Sequence, residues 1–255
     1  MQKLIHDFHE MERCFFSLIS LNCLDYQTIT AFETGVLATG LNPAFAIKTD
    51  TDKEFLHDLA KCRSYFAQKN LPWAIIVAED TPIFSEHDNQ LPQDYELTDT
   101  GVGMAFNLMA NSLNIPDNPL EFREMNEDLP TWSIPLIHGF QSTPEITHVY
   151  TLRHDEALKK SNDMYHFSGF FAGEAVVSVT LTVKDNLARI DDLATIPSFQ
   201  KRGCASAMMV YALKKALDLK VQTCFLEAST AGLNLYTRIG FQSLFTNHYY
   251  ELSTM

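Results

Sequence analysis

Residues 200–206 read Gln200-Lys201-Arg202-Gly203-Cys204-Ala205-Ser206. They lie between an apolar run over 188–196, stopped by Pro197, and a segment whose apolar residues recur at helical spacing. Met208, Met209, Ala212, Leu213, Ala216 and Leu217 make up that stripe. The order is strand, tight turn, helix. A helix entered through a glycine presents unpaired N–H groups at the positive end of its dipole, a setting that suits phosphate oxygens. Gly203 has no side chain to hold a ligand off, Ala205 keeps the opening clear one step into the helix, and Lys201 and Arg202 bring positive charge to its mouth. The turn is expected to cradle a pyrophosphate.

The run Ala188-Arg189-Ile190-Asp191-Asp192-Leu193-Ala194-Thr195-Ile196-Pro197, followed by Gln200-x-x-Gly203-x-Ala205, resembles the coenzyme-A-binding motif of the GNAT superfamily of acetyl-CoA-dependent N-acetyltransferases. That motif is Arg or Gln, two free positions, Gly, one free position, then Gly or Ala. A second landmark, Leu235-Tyr236-Thr237-Arg238-Ile239-Gly240-Phe241 after a strand at 224–228, stands where such proteins have it. The resemblance implies an α/β fold with a mixed sheet and acetyl-CoA as co-substrate. It also implies direct passage of the acetyl group to a primary amine, with no covalent enzyme intermediate. It places the coenzyme on Gln200, Lys201, Arg202, Gly203, Cys204, Ala205 and Ser206, chiefly through backbone amides. The pantetheine arm would pair with the backbone of Leu193, Ala194 and Thr195. Cys204 is expected to pack rather than react, as buried cysteines usually do.

An aliphatic amine has a pKa near ~10.4, so at neutral pH a base must remove a proton before nitrogen attacks a carbonyl. Asp191 and Asp192 are adjacent on the strand, and alternation is expected to turn one toward the cleft and the other away. Likeness to polyamine acetyltransferases favours Asp191 as base, with Asp192 second; pairing of one of them with Arg189 is the competing role. Tyr236, whose phenol keeps its proton at neutral pH, is the expected acid for the leaving thiolate, standing one step off a stripe of Leu235 and Ile239. Ser229 stands where many relatives carry Asn and is expected to hydrogen-bond the pantetheine arm.

The rest of the chain sets the frame. Its 255 residues suffice for two modest domains. Asn114-Ile115-Pro116-Asp117-Asn118-Pro119 reads as a linker, which divides the chain at 116. The resemblance implies that residues 117–255 form the catalytic domain. They are expected to run strand 120–125, helix 127–138, a partly helical 144–162, and a hairpin of 165–171 with 175–183 around Gly173. The cradle follows, then strand 222–228, helix 231–239 and final strands over 242–252. Residues 1–116, with a helix at 52–68 and strands at 73–78 and 103–108, resemble the degenerate first half of two-domain GNAT proteins. This half would cover the acceptor site. Its counterpart of the cradle, Thr49-Asp50-Thr51-Asp52-Lys53-Glu54, carries carboxylates where a pyrophosphate would lie, so no coenzyme is expected there.

The net charge is −13, and from residue 165 onward eight Lys or Arg face seven Asp or Glu, which leaves −14 on the preceding residues. Nucleic acid is therefore not expected as a partner, whereas a cationic small-molecule or peptide amine is. Five cysteines without a Cys-x-x-Cys pair suggest neither a disulfide framework nor a thiolate metal site. His6, His9 and Glu10 are expected on a solvated helix face, with no metal bound. No long apolar run suggests a membrane span, and the cytoplasm is the expected compartment. A coenzyme-A-binding regulatory module that keeps the fold without turnover is the alternative to an enzyme.

Overall fold

The computed structural model describes residues 1–47, 52–79, 81, 91–110, 113 and 118–253. The chain divides into two compact units, one of Met1–Ile19 with Gly103–Leu244 and one of Ser20–Val102 with Phe245–Met255. A single boundary at 116 is not how the contacts divide. Pro116 itself lies outside the described residues, and the chain passes between the units at 19, 102 and 244. The first helix, α1 (Gln2–Ile19), thus joins the unit holding the cradle. Its Phe8, Met11, Phe15 and Ile19 are buried at helical spacing.

In that unit β6 (Glu121–Glu124), α3 (Leu129–Gly139) and α4 (Pro144–Lys160) lead into β7 (Met164–Phe171) and β8 (Glu174–Lys184). Then come β9 (Leu187–Thr195), α5 (Cys204–Asp218), β10 (Thr223–Ala228) and α6 (Leu233–Ile239). The strands lie side by side in the order β10-β9-β8-β7-β6. Residues 144–160 form one regular helix, more than the partly helical stretch expected, because Thr143 caps it by accepting from the Ile146 amide and Pro144 starts it. The β7–β8 reversal uses Ala172 and Gly173, both at positive φ, as a two-residue hairpin turn requires. Helices cover both faces. His166 meets His154 of α4, while the next residue, Phe167, meets Tyr211 of α5.

Two departures from regular pairing shape β9. Its parallel ladder with β10 runs only from Leu187 to Arg189, opposite Thr223 to Phe225. On the other edge Asp191 faces Thr180 and Ala194 faces Ser178, so β9 carries one residue more than β8 between these points. That is a β-bulge, and Asp192 adopts φ 59° within it.

The second unit pairs β1 (Asn22–Asp25), β2 (Ile29–Glu33), β3 (Pro43–Ala46) and β4 (Ala74–Ala78) in that order, with the far part of β11 (Gln242–Leu252) beside β4. β3 and β4 are parallel and are joined through α2 (Asp52–Lys69). Phe55, Leu59, Cys62 and Phe66 of that helix pack with Ile29, Ala31, Ala44 and Ile75. Strand–helix–parallel strand repeats the order of β9, α5 and β10. Of the acidic stretch 49–54 expected in place of a cradle, residues 49–51 lie outside the described residues, and 52–54 begin α2. The end of the chain makes one strand, β11, where more than one was expected.

Candidate active site

The turn before α5 leaves its backbone donors open. Gly203 is the N-cap at φ 81°, ψ 0°, with no side-chain cap on the helix. Lys201 also has positive φ, at 59°. The first helical bond runs from the Ala207 amide to the Gly203 carbonyl, and among the described residues the amides of 201–206 donate to no protein acceptor. A Cβ on Gly203 would meet nothing nearer than the Asn118 amide nitrogen at 3.9 Å. The glycine therefore answers to its left-handed backbone and to the open side of the turn, not to protein packing. Lys201 and Arg202 are exposed, and the Arg202 guanidinium lies 5.1 Å from the Phe199 ring. Cys204 is 4 % exposed and packs inward. Ala205 and Ser206 are half-buried.

Leu193, Ala194 and Thr195 follow the bulge. One edge of this segment pairs with β8, and along the other no strand pairs with it among the described residues, the β10 ladder having ended at Arg189. The Thr195 carbonyl accepts from Gln200 Nε2 at 3.2 Å, which closes the turn back onto the strand. Thr195 Oγ1 is buried with no hydrogen-bond partner among the described residues. Behind the segment, Gly139 at the end of α3 comes so close that a Cβ there would lie 2.7 Å from Ala194 Cβ and 3.2 Å from the Thr195 amide. Open strand edge, orphan hydroxyl and unpaired amides fit a nucleotide with a long amide-bearing arm: diphosphate on the helix end, arm along β9.

The two aspartates are not on opposite faces. Regular alternation would separate them, but the extra residue at 192 turns both toward α1 and α4. Asp191 receives Arg189 Nε on both oxygens at 3.0 and 3.1 Å, and the Arg189 guanidinium lies over Phe8 of α1. Asp192 accepts from Tyr150 Oη of α4 at 2.8 Å and from Thr180 Oγ1 of β8 at 2.7 Å. Burial raises both carboxyls. Asp191 is pulled back by Arg189, whereas Asp192, pushed further by the Asp191 charge, reaches about 7. Arg189 stays charged, because Asp191 and Glu12 outweigh its burial.

Tyr236 is half-buried on α6. Its phenol is pushed up to about 12 by burial and by the Asp191 charge, so it keeps its proton. Leu235 and Ile239, expected as a buried stripe, are only half-buried. Two neighbours of Tyr236 carried no sequence expectation of their own. Gly232 leaves room for the ring, since a Cβ there would stand 2.8 Å from Tyr236 Cε2, and Phe241 meets it edge-on at 6.0 Å. Ser229 is exposed, and its Oγ accepts from the Gly232 amide at 3.3 Å, so its own proton remains available. Sequence reading also missed Tyr150, His154, His166 and Asn126. The signal for the first two was Tyr150-x-x-x-His154, one turn apart on a helix face.

In α1 His9 faces Glu12 at 3.3 Å and Glu10 pairs with Arg13 at 2.6 Å. No helix among the described residues is long and apolar enough to cross a membrane.

A parallel strand pair whose ladder ends at Arg189, a bulge on the edge of β9 that pairs with β8, and a helix entered through open amides make up the candidate site of this α/β fold. Residues 127–241 match the model of the acetyltransferase (GNAT) family. A GCN5-related N-acetyltransferase from Kribbella flavida has 13 % identity and a TM-score of 0.68, over 97 % of this chain and 96 % of that one. A tandem GNAT protein from the clavulanic acid biosynthesis pathway has 11 % identity and a TM-score of 0.60, over 89 % and 80 %. A GCN5-related N-acetyltransferase from Sphaerobacter thermophilus has 12 % identity and a TM-score of 0.60, over 88 % and 76 %. At such identities the likeness is one of fold, and it runs through both halves of the chain. No curated protein matches the sequence.

Proposed function

We propose that this protein is an acetyl-CoA-dependent N-acetyltransferase whose acceptor is a primary amine on a small molecule or peptide. Acetyl-CoA would supply the activated acetyl thioester. Amides 202–206 and the Lys201 and Arg202 charges would hold its diphosphate. The open edge at Leu193, Ala194 and Thr195, with Gln200 and Ser229, would receive the pantetheine arm. The observation that carries this reading is the bulge at Asp192 lying where β9 and β10 part, one turn of chain from unpaired amides.

Asp192, rather than Asp191, is the better proton acceptor for the ammonium, working through a water. Both oxygens of Asp191 are held by Arg189, so protonation there would break an ion pair. Asp192 sits near 7, close to where a base both frees and accepts protons readily. Tyr236, held protonated, would donate to the departing sulfur. The acidic balance of the chain before residue 165 draws cations toward it. Five free cysteines fit a reducing compartment such as the cytoplasm.

An amine panel incubated with acetyl-CoA and assayed for free thiol tests the reading. Thiol release that depends on an amine supports it; saturable coenzyme binding with no thiol from any amine would leave a binding module instead.

A further inference from the structure

Behind Asp192 lies a closed line of polar groups that the proposed chemistry does not yet use. Asn126 sits next to β6, and its side chain is fixed in orientation by the backbone: Nδ2 donates to the Met164 carbonyl at 3.1 Å, and Oδ1 accepts the His166 amide at 2.9 Å. His166 Nδ1 lies 2.9 Å from the same oxygen and therefore carries the proton. In the neutral ring Nε2 is then an acceptor. It stands 2.8 Å from His154 Nδ1, which must donate. His154 Nε2 is left with a bare lone pair, buried, without a hydrogen-bond partner among the described residues, and 3.8 Å from Asp192 Oδ2.

Both rings are enclosed, with Trp132 4.8 Å from His154 and 4.7 Å from His166. Burial keeps both imidazoles neutral. The approach of His154 to Asp192 is therefore a lone pair facing a carboxylate, not an ion pair. Without a proton the two repel in a dry setting; with one they bond.

We propose that His154 is a positioning residue which, oriented by His166 and Asn126, shares one proton with Asp192 and so sets the pH at which that carboxylate becomes available. The inference rests on the reading of Asp192 as the base. The proton balance is simple. The ammonium loses two protons overall: one reaches Asp192 and later leaves to water, and one ends on the sulfur. The line of rings cannot drain the first of these, because it stops at an amide oxygen. The other groups around Asp192 are Asp191 and Arg189 on its own strand, Tyr150 from α4 and Thr180 from β8. Glu12 of α1 lies beyond Arg189, and Tyr236 of α6 is on the side of Asp191.

Imidazole 15N spectra of the full chain across pH, in wild type and Asp192→Asn, read the shared proton directly. The expected result is a proton on Nδ1 of both rings, with a step in the His154 Nε2 resonance near neutrality that vanishes in Asp192→Asn. The pH profile of kcat/KM reads its consequence. In His154→Leu the acidic limb should move to lower pH by about one unit, the worth of one lost hydrogen bond. It stays distinct from titration of the substrate ammonium near ~10. A His154 proton on Nε2, a flat Nε2 resonance, or an unmoved limb in a folded His154→Leu chain that still binds acetyl-CoA would overturn the proposal. A spectral step without any acidic limb would uphold the shared proton and overturn Asp192 as the base.

Discussion

Gly232 and Tyr236 belong to one device. The glycine has φ −85°, which any residue adopts, so only the ring 2.8 Å from its missing Cβ explains its need for no side chain. Gly232→Ala should therefore displace the phenol and lower kcat toward the level of Tyr236→Phe. That substitution is expected to cost about 10²-fold, the usual effect of losing a positioned acid. Acetyl-CoA affinity, measured by titration, should stay unchanged in both; a parallel loss of affinity would make the tyrosine a packing residue. At Asp192 the backbone holds φ 59°, a conformation that costs an L residue roughly 1 kcal/mol and is retained against Tyr150 and Thr180. Asp192→Asn should reduce kcat/KM by about 10²-fold or more and abolish the acidic limb near neutrality. Asp191→Asn should keep an acidic limb but move it to lower pH, because the Asp191 charge no longer raises Asp192; loss of the limb there and its retention in Asp192→Asn would return the role to Asp191.

At the scale of elements, the approach of α3 to β9 fixes the strand edge proposed to receive the coenzyme. Gly139→Val has no room against Ala194 and the Thr195 amide. It should destabilise the fold by about 1–3 kcal/mol in urea unfolding and weaken acetyl-CoA binding; unchanged affinity would detach that edge from the site. The α4–β7 contact makes stability depend on acid. The His154 and His166 rings are held neutral by burial, His166 down to about 3. Unfolding below about pH 6.5 takes up protons there, at up to about 1.4 kcal/mol per pH unit per ring. Asp192 acts in the opposite sense, because burial and the Asp191 charge raise it to about 7 and the fold then holds a proton the unfolded chain has lost. Asp192→Asn should thus steepen acid destabilisation by about 1.4 kcal/mol per unit between pH 4 and 6.5. Denaturant midpoints across that window check it, and equal slopes would contradict it.

Across the whole molecule, what the sequence disclosed was what local geometry dictates. The Gln200-x-x-Gly203-x-Ala205 spacing marks a backbone shape, and a backbone shape is set by the residues within it. The bulge was hidden because alternation is the default for a strand; its signal was the Asp191-Asp192 pair, two residues that strands disfavour. Of α1 the sequence disclosed only a solvated face with His6, His9 and Glu10; its buried side, Phe8, Met11 and Phe15, packs through contacts distant in sequence, so its place in the unit of Gly103–Leu244 was not legible. His154 and His166 escaped notice because a buried imidazole reads in sequence like a surface one. The proposed function depends on coenzyme binding at the open turn before α5. Isothermal titration of acetyl-CoA into wild type and Gly203→Glu tests this most directly. The account predicts one saturable site in the wild type and none in the variant, where a carboxylate fills the open side of the turn; undiminished affinity in a folded Gly203→Glu chain would contradict it.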